Sequence, residues 1–205
     1  LVLEFRRVLF RSGRVIGNDQ FSSGDQINRA IHFAGGRLRT PVQPGDRYTI
    51  EFWVWNGLHD DARPVTGYLV SHGIEGDAAA AGEHLGIGGT YRADLIGRLF
   101  LFNGNQHDEI LAGRTRLAPK AWNHVALVRD GHRFRVHLNG QTEPEIDGTF
   151  RQVSTATGRT LLFGGRTDGL YGLEGRLDEI TVHDRILSPV EIAAHFQASG
   201  LTPPQ

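Results

Sequence analysis

The clearest hydrophobic pattern in the chain is the alternation across residues 47–55. On a β-strand, successive side chains point to opposite faces. The apolar members of this segment fall on one face: Tyr48, Ile50, Phe52 and Val54. The opposite face carries a mixed set: Thr49, Glu51, Trp53 and Trp55. Because both faces contain large rings, the pattern predicts a strand that is covered on both sides.

Similar alternation predicts further strands along most of the chain: residues 28–33, 67–72, 84–88, 97–103, 122–128, 133–138, 160–164 and 175–183. The run Leu99–Phe102 is apolar at every position, which suits a strand buried on both faces. Asp130-Gly131 and Asn139-Gly140 follow alternating segments, and both dipeptides favour type I′ turns, in which both central residues need positive φ. The pattern therefore predicts an antiparallel meander in an all-β chain.

The C-terminal part of the chain contains an irregular strand and the one predicted helix. Leu177, Ile180 and Val182 are core candidates, but their spacing does not keep strict alternation. Ser188-Pro189-Val190-Glu191 has the form of a capping box with proline at the first helical position. Ile192 and Phe196 then lie one helical turn apart, so we expect a short helix docked on a sheet.

Composition narrows the classes of function. The 205 residues are 39% hydrophobic and 22% charged, with a mean hydropathy of -0.30, which is typical of a globular domain. The net charge is -1 and the arginines are scattered, so no nucleic acid partner is expected. No apolar run reaches the roughly 18 residues that a membrane helix needs, so no membrane insertion is expected. The absence of cysteine excludes disulfides and thiolate sites.

The first residues do not follow the strand pattern. Residues 3–12 resemble the translation of a common sequencing adapter, as found in gene sequences from metagenomic reads, and the chain has no methionine. We therefore expect residues 1–12 to be a non-native leader, residues 13–200 to form one domain and residues 201–205 to be a tail. The alternative is that residues 1–12 are a genuine basic strand or linker.

Several segments together carry a resemblance to a known family: Tyr48–Val54, Trp122–Gly131, Gly175–Ile180 and Asp184–Ile192. In this order they resemble laminin-G-like members of the concanavalin A-like lectin/glucanase superfamily, over roughly residues 28–198. The resemblance implies a two-sheet antiparallel jelly-roll sandwich with one short C-terminal helix. It also implies an extracellular, periplasmic or cell-surface module, tethered to other domains of a larger exported bacterial protein, that binds a glycan or an extracellular protein.

The acidic residues do not predict an active site. A glycosidase needs two carboxylates about 5–9.5 Å apart, and on a strand these must sit at even spacing to share a face. Asp178 and Glu179 are adjacent, and Glu51 has no acidic neighbour two or four residues later. No nucleophile elbow, zinc-protease motif or phosphate loop is present, and the histidines show no paired ligand spacing. We therefore expect a binding module without catalytic residues. The alternatives are a spacer or protein-interaction domain without sugar affinity, and an enzyme with an unrecognised site.

A sugar-binding surface needs aromatic rings together with amide or charged groups. The best candidates lie at the end of the tryptophan strand, in the polar stretch after the Leu99–Phe102 run and on neighbouring loops: Trp55, His72, Tyr91, Asn103, Asn105 and His107. The alternatives are that a loop or the C-terminal helix covers the tryptophans, and that the Asn103–His107 stretch is only a turn.

The family resemblance also implies a structural calcium ion near the last strands, held by one aspartate and backbone carbonyls. Asp178 stands at the position to which the resemblance points. The alternative is that Asp178 pairs with Arg176 or Arg185, or accepts backbone hydrogen bonds. The sequence departs from the family after Phe33, where Ala34-Gly35 replaces an Asp-Gly pair that often supplies a carboxylate.

Overall fold

The computed structural model describes residues 3–4, 30–77, 79–105 and 108–202. Its strands are β1 (Leu3–Glu4), β2 (Ile31–Ala34), β3 (Leu38–Thr40), β4 (Arg47–Asn56), β5 (Val65–Gly73), β6 (Glu83–Gly88), β7 (Arg98–Phe102), β8 (Ile110–Arg116), β9 (Trp122–Asp130), β10 (Arg133–Leu138), β11 (Ile146–Thr149), β12 (Thr160–Phe163) and β13 (Glu174–His183). A 3₁₀ turn spans Ala93–Leu95, and helix α1 spans Pro189–Ala198.

The strands form two sheets. Sheet A has the order β1-β13-β4-β9-β10-β11, and β2 pairs with β13 on the same edge as β1. Sheet B has the order β3-β12-β5-β6-β7-β8. Every ladder between these strands is antiparallel, and neighbours such as β4 and β13 are far apart in sequence. The prediction of an all-β, two-sheet antiparallel jelly-roll sandwich with one short helix is therefore confirmed.

The main core lies between the two sheets. Sheet A contributes the apolar face that the alternation of β4 predicts, including Ile50 and Phe52, which have no exposed surface. Sheet B contributes Leu85 from β6 and Leu101 from β7. Burying a side chain of this size contributes about 1.5–3 kcal/mol, so this interlayer contact is the main source of the sandwich's stability.

Strand β7 is buried on both faces, as its apolar run predicts. Leu99 and Leu101 point into the interlayer core. Phe100 and Phe102 point away from it and form a second cluster with Tyr68 and Leu95 on the outer face of sheet B. This outer cluster forms the floor of the pocket described below.

A β-bulge explains the irregular spacing of the core residues in β13. The pairing of β13 with β4 shifts between Asp178 and Thr181, where three steps along β13 match two along β4. Glu179 lies in this bulge with a φ of 50°. The extra residue lets Leu177 and Ile180 both reach the core although they are three positions apart.

One of the two predicted type I′ turns differs in the structure. Asp130 is the last residue of β9 and pairs with Arg133, so the turn residues are Gly131 and His132. Gly131 has a φ of 63° and His132 does not have a positive φ, which is the arrangement of a type II′ turn. The prediction for Asn139-Gly140 is confirmed, because both residues have positive φ and the Gln141 N–H donates to the Leu138 carbonyl.

Helix α1 lies against the outer face of sheet A, and its capping box is formed as predicted. Ser188 Oγ accepts the Glu191 N–H, and Glu191 Oε2 accepts the Ser188 N–H at 2.8 Å. Ile192 packs into a small cluster with Ala126 and Val128 of β9. Phe196 stacks on Trp53 with ring centroids 5.6 Å apart, so Trp53 is covered by the helix.

Some sequence predictions concern residues outside those described. Most of the leader predicted for residues 1–12 is not among the described residues. Its described part, Leu3–Glu4, pairs with Val182 and Thr181 of β13. The end of the tail, residues 203–205, is not among the described residues either. The division into leader, domain and tail stays a prediction. Within the described part of the chain, no helix is long and apolar enough to cross a bilayer.

Candidate functional site

A pocket of about 250 Å³ opens on the outer face of sheet B. Its floor is formed by Tyr68 of β5, by Phe100 and Phe102 of β7 and by Leu95 of the 3₁₀ turn. Its rim comes from three connecting segments that supply Tyr91, Arg92, Asn105, Asp108, Leu170 and Tyr171. The floor is therefore carried by paired strands and one 3₁₀ turn, and the rim is carried by loops.

The floor of the pocket is aromatic. Tyr68 and Phe100 meet edge to face, with ring centroids 5.6 Å apart and an interplanar angle of 71°. The Tyr68 side chain is not part of the interlayer core and packs in the outer cluster. Because the rings are fixed by neighbouring strands, the floor is a rigid apolar surface.

Arg166 closes one side of the floor and is almost fully buried, with 7% of its surface exposed. Its guanidinium lies 5.2 Å from the Tyr68 ring centroid and 5.9 Å from that of Phe102, so it interacts with both rings as a cation. Arg166 Nε donates to Asp168 Oδ1 at 2.9 Å, and Nη1 donates to the Tyr68 hydroxyl at 3.3 Å. The charge is thus held in place by a carboxylate, a hydroxyl and two rings.

The pKa values of these groups follow from their contacts. Burial lowers the pKa of Arg166, but the hydrogen bonds and charge interactions with Asp168 and Tyr68 together outweigh burial, and the net shift is upward. Burial raises the pKa of Asp168, but the hydrogen bonds from Arg166 and the Leu170 N–H, together with the Arg166 charge, outweigh burial, and the net shift is downward. Burial also raises the pKa of Tyr68. At neutral pH the pocket side therefore presents an ion pair and a protonated phenol.

The rim is exposed and chemically mixed. Tyr91 is 74% exposed and Leu170 is 53% exposed, and both border the pocket. The exposed large hydrophobic residues in the described part of the chain are these two, Val190 and Leu201. Asn105, Asp108 and Arg92 add amide, carboxylate and guanidinium groups beside them. Exposed aromatic surface next to such groups suits a polar ligand that also has apolar faces.

Close backbone contacts hold the Tyr91 segment at the pocket. A Cβ at Gly89 would lie 2.0 Å from the Arg63 carbonyl oxygen, which is closer than any side chain allows. Thr90 and Tyr91 donate their N–H groups to the carbonyls of Arg63 and Pro64 at 3.1 and 3.0 Å. Glycine at position 89 therefore lets this segment approach the start of β5 and place Tyr91 over the floor.

Residues 33–193 match a laminin-G family model whose description is the concanavalin A-like lectin/glucanases superfamily. The chain belongs to the concanavalin A-like lectin/glucanases superfamily. The resemblance that the sequence motifs carry is thereby confirmed. No curated protein sequence matches this superfamily member.

Several solved structures share its fold. One is domain 4 of AbnA, a GH43 extracellular arabinanase from Geobacillus stearothermophilus, in complex with arabinotriose. It has 19% identity and a TM-score of 0.60 over 84% of this chain and 78% of that chain. Another is the CBM40 of the Ruminococcus gnavus IT-sialidase bound to α2,3-sialyllactose. It has 18% identity and a TM-score of 0.61 over 82% of this chain and 97% of that chain. A SAP-like pentraxin from Limulus polyphemus has 19% identity and a TM-score of 0.52 over 77% and 73%.

The pocket of this superfamily member brings together two of the residues that the sequence predicts for ligand binding, Tyr91 and Asn105. Asn103 lies at the start of the same loop but is fully buried. Its amide donates to Glu109 Oε2 at 2.7 Å and its Oδ1 accepts the Glu109 N–H, so it closes the loop that carries Asn105. His107 lies outside the described residues.

His72 and Trp55 lie away from the pocket. His72 is not on a loop but within β5, where its side chain is buried between the sheets, with Nδ1 3.0 Å from Glu83 Oε2. This corrects the expectation that His72 reaches a surface ligand, because strand pairing with Glu83 turns it inward. Trp55 is half-buried on sheet A, with the Arg176 guanidinium 5.0 Å from its ring centroid. It belongs to a different surface from the pocket.

Asp178, the residue predicted to bind calcium, lies in the bulge of β13. Its Oδ1 accepts the Glu179 N–H at 2.8 Å. Among the described residues, two groups of acidic and histidine side chains come close enough together to hold a metal ion, and Asp178 belongs to neither group. A calcium ion there would need most of its six to eight oxygen ligands from backbone carbonyls and water. Calcium binding by Asp178 stays a prediction.

The sequence did not indicate the floor residues Tyr68 and Phe102 or Arg166 beside them. They come from β5, β7 and the segment after β12, so only the pairing of distant strands brings them together. The signal that was available is the four-residue apolar run of β7. Such a run predicts that the outer face of the strand is buried as well as the inner face. Here the outer face of β7 lies at the bottom of the pocket.

Proposed function

We propose that this protein is a non-catalytic carbohydrate-binding module and that the pocket on sheet B binds the glycan. The observation that carries the proposal is a pocket with an aromatic floor and a rim of exposed polar side chains, on the outer face of sheet B. A sugar ring has apolar C–H faces and a rim of hydroxyls. Phe100 and Phe102 would lie beneath the ligand, and the exposed Tyr91 ring would pack against the apolar face of the sugar. Asn105 and Asp108 would bind hydroxyls at the edge.

The nature of the structural neighbours supports a glycan ligand. The arabinanase domain is described in complex with arabinotriose and the CBM40 is described as bound to sialyllactose. These two sugars differ in charge, so either a neutral or an acidic glycan is compatible with this fold. In the present pocket Arg166 is paired with Asp168 and the rim residue Arg92 is paired with Asp94. Asp108 adds an exposed rim carboxylate. We infer from this balance that a neutral glycan is favoured.

The acidic groups near the pocket support a binding role. Hydrolysis of a glycosidic bond needs a proton donor and a second carboxylate across the bond. Among the described residues, Asp108 is the acidic side chain that lines the pocket, and nearby Asp168 is held by Arg166. An export role is supported by the arabinanase neighbour, which is an extracellular enzyme with several domains by its description. We infer that this chain serves a larger exported protein in the same way.

Tyr91→Ala tests the pocket directly. The Tyr91 ring is exposed, so its removal should leave folding intact while removing one wall of the sugar site. We expect glycan affinity to fall at least about fivefold, which corresponds to ~1 kcal/mol. The measurement is retention of the isolated protein on arabinan, neutral glucans and sialylated glycans, followed by calorimetric titration of the glycan that binds.

Two matched variants make this test specific. Val190→Ala removes an exposed hydrophobic side chain on α1, and Trp55→Ala removes the aromatic side chain on sheet A. Both should bind as the parent protein does. If Trp55→Ala loses binding and Tyr91→Ala keeps it, the site lies on sheet A. If the parent protein binds none of the glycans, the alternative of a spacer or protein-interaction domain replaces this proposal.

A further inference from the structure

A cluster of one carboxylate and three histidines lies on the outer face of sheet A, on the opposite side of the sandwich from the proposed sugar pocket. Glu51 is on β4, His124 on β9, His183 on β13 and His195 on α1. Glu51 is paired with Ala126 and Thr181, so the two strand histidines lie diagonally on either side of it. Helix α1 then places His195 above the carboxylate.

The ligand atoms of three of these residues converge on one point. His183 Nε2 lies 3.0 Å from Glu51 Oε2, and His195 Nδ1 lies 2.8 Å from the same oxygen. These three atoms all lie within 4.8 Å of one another. Three ligands of a tetrahedral zinc ion, at bond lengths of about 2.0–2.2 Å, are roughly 3.3–3.6 Å apart. Each histidine nitrogen would need to move away from Glu51 Oε2 by only about half an ångström to hold such an ion.

Two buried polar atoms in the cluster have no hydrogen-bond partner. They are Glu51 Oε1 and His124 Nδ1, and both side chains are more than nine-tenths buried. His124 Nε2 lies 3.5 Å from Glu51 Oε1, which is too long for a strong hydrogen bond. An unpaired buried carboxylate oxygen is costly, and a cation bound by Glu51 would offset the cost at Oε1. This is an independent sign that the cluster is built to hold a ligand.

We propose that Glu51, His183 and His195 form a binding site for a divalent transition-metal ion such as Zn²⁺, with His124 supporting Glu51. Imidazole nitrogen and carboxylate oxygen are ligands that zinc accepts, and a set of three protein ligands leaves a fourth position for water. The side chain of His195 is 47% exposed, so that position is open to solvent. The ion would link helix α1 to strands β4 and β13.

A second group of side chains differs from this site in the partner of its carboxylate. His59, Asp60 and Asp61 also come close enough together to hold an ion. There, however, Arg116 Nε donates to Asp60 Oδ2 at 2.5 Å, so a guanidinium already neutralises the central carboxylate. In the Glu51 cluster, the described partners of the carboxylate are histidines, which bind metals when neutral.

Metal titration of the untagged, metal-free protein tests the site. Co²⁺ should give the visible absorption of a tetrahedral complex, and Zn²⁺ should displace it and raise the melting temperature. The variant is His195→Ala, because His195 is half exposed and its loss should not prevent folding. The matched control is His32→Ala, which removes an exposed histidine of β2 outside the cluster.

We expect His195→Ala to lose at least about tenfold in Zn²⁺ affinity, together with the Co²⁺ absorption and the zinc-induced thermal shift. His32→Ala should behave as the parent protein does. The proposal is overturned if the parent protein binds neither metal at micromolar concentration, or if the two variants bind equally well. Glycan binding by the pocket on sheet B is a separate readout, so failure of one proposal leaves the other intact.

Discussion

His84 shows how burial sets the chemistry of a single residue in this protein. It lies on β6 and points to the outer face of sheet B, where its ring meets Tyr68 edge-on at a centroid distance of 6.3 Å. Gly82 passes close above it, because a Cβ there would lie 2.7 Å from His84 Nε2. Burial lowers the pKa of His84 to about 4, and the charge of Glu83 offsets only part of that effect.

His84 should therefore remain neutral in the folded protein down to about pH 4. Between pH 6.5 and 4 the unfolded chain binds a proton at this position and the folded chain does not. Stability must then fall as the pH falls through this range, by up to about 3 kcal/mol from this residue. Titration of the histidine ring signals by NMR measures this pKa, with His84→Asn identifying the signal. A midpoint near 6.5 would show that the ring is solvated.

The site residues that could be predicted are those with exposed chemistry. Tyr91 and Asn105 stand out in the sequence because an aromatic ring and an amide occur in glycine-rich loop segments. Arg166 does not stand out, because its role in the pocket depends on its contacts with Tyr68 and Phe102. Those contacts form only when the strands of sheet B pair in the observed register. Local sequence indicates which side chains can bind a sugar, but strand pairing decides which of them meet.

At the scale of elements, local signals in the sequence were sufficient where they were strong. The alternation of β4 and the capping box of α1 each predicted an element that the structure contains. Strands β3, β8 and β11 were not predicted, because Leu38–Thr40 and Ile146–Thr149 are short and Ile110–Arg116 is half polar. All three lie at the outer edge of their sheets, where one neighbour and little burial suffice.

The capping box of α1 gives a prediction for that element. Ser188→Ala removes the side chain that accepts the Glu191 N–H, and we expect a loss of ~1 kcal/mol in the free energy of unfolding. Denaturant unfolding at neutral pH measures the loss, and amide exchange shows whether it is confined to α1. Ser188→Thr keeps the hydroxyl and should recover most of the stability. Equal losses in the two variants would argue against a capping role.

At the scale of the whole molecule, an ion-pair cluster connects the two sheets through their shared core. Arg129 on β9 of sheet A donates through Nη1 to Glu83 Oε1 on β6 of sheet B at 2.5 Å. Both residues are about 1% exposed, and His72 and Arg159 also contact the carboxylate. Burial raises the pKa of Glu83, but the hydrogen bond with His72 and the nearby charges outweigh it, so the net shift is downward. The carboxylate is therefore charged, and its Oε1 is held by the two arginines.

Removing the Glu83 charge should destabilise the whole sandwich. Glu83→Gln leaves Arg129 buried without a counter-charge, and breaking one partner of a buried pair costs roughly 3–5 kcal/mol. That is a large fraction of the ~5–15 kcal/mol by which domains are stable. The control is Glu75→Gln, because Glu75 contacts Arg37 and Arg39 at 3.6 Å near the surface and should cost less than about 1 kcal/mol. Thermal and denaturant unfolding compare the two, and similar losses would contradict the prediction.

The kink in β13 bears on how this chain is aligned with its relatives. Without Glu179, a strand of regular pleat would bring Leu177 and Ile180 to positions two apart rather than three. A relative with an unbroken strand should therefore carry one residue fewer here. An alignment that opens no gap at Glu179 would match the core residue Val182 with a residue of that relative that points out of the sandwich. The cores of the two proteins would then look different in sequence although their core positions correspond.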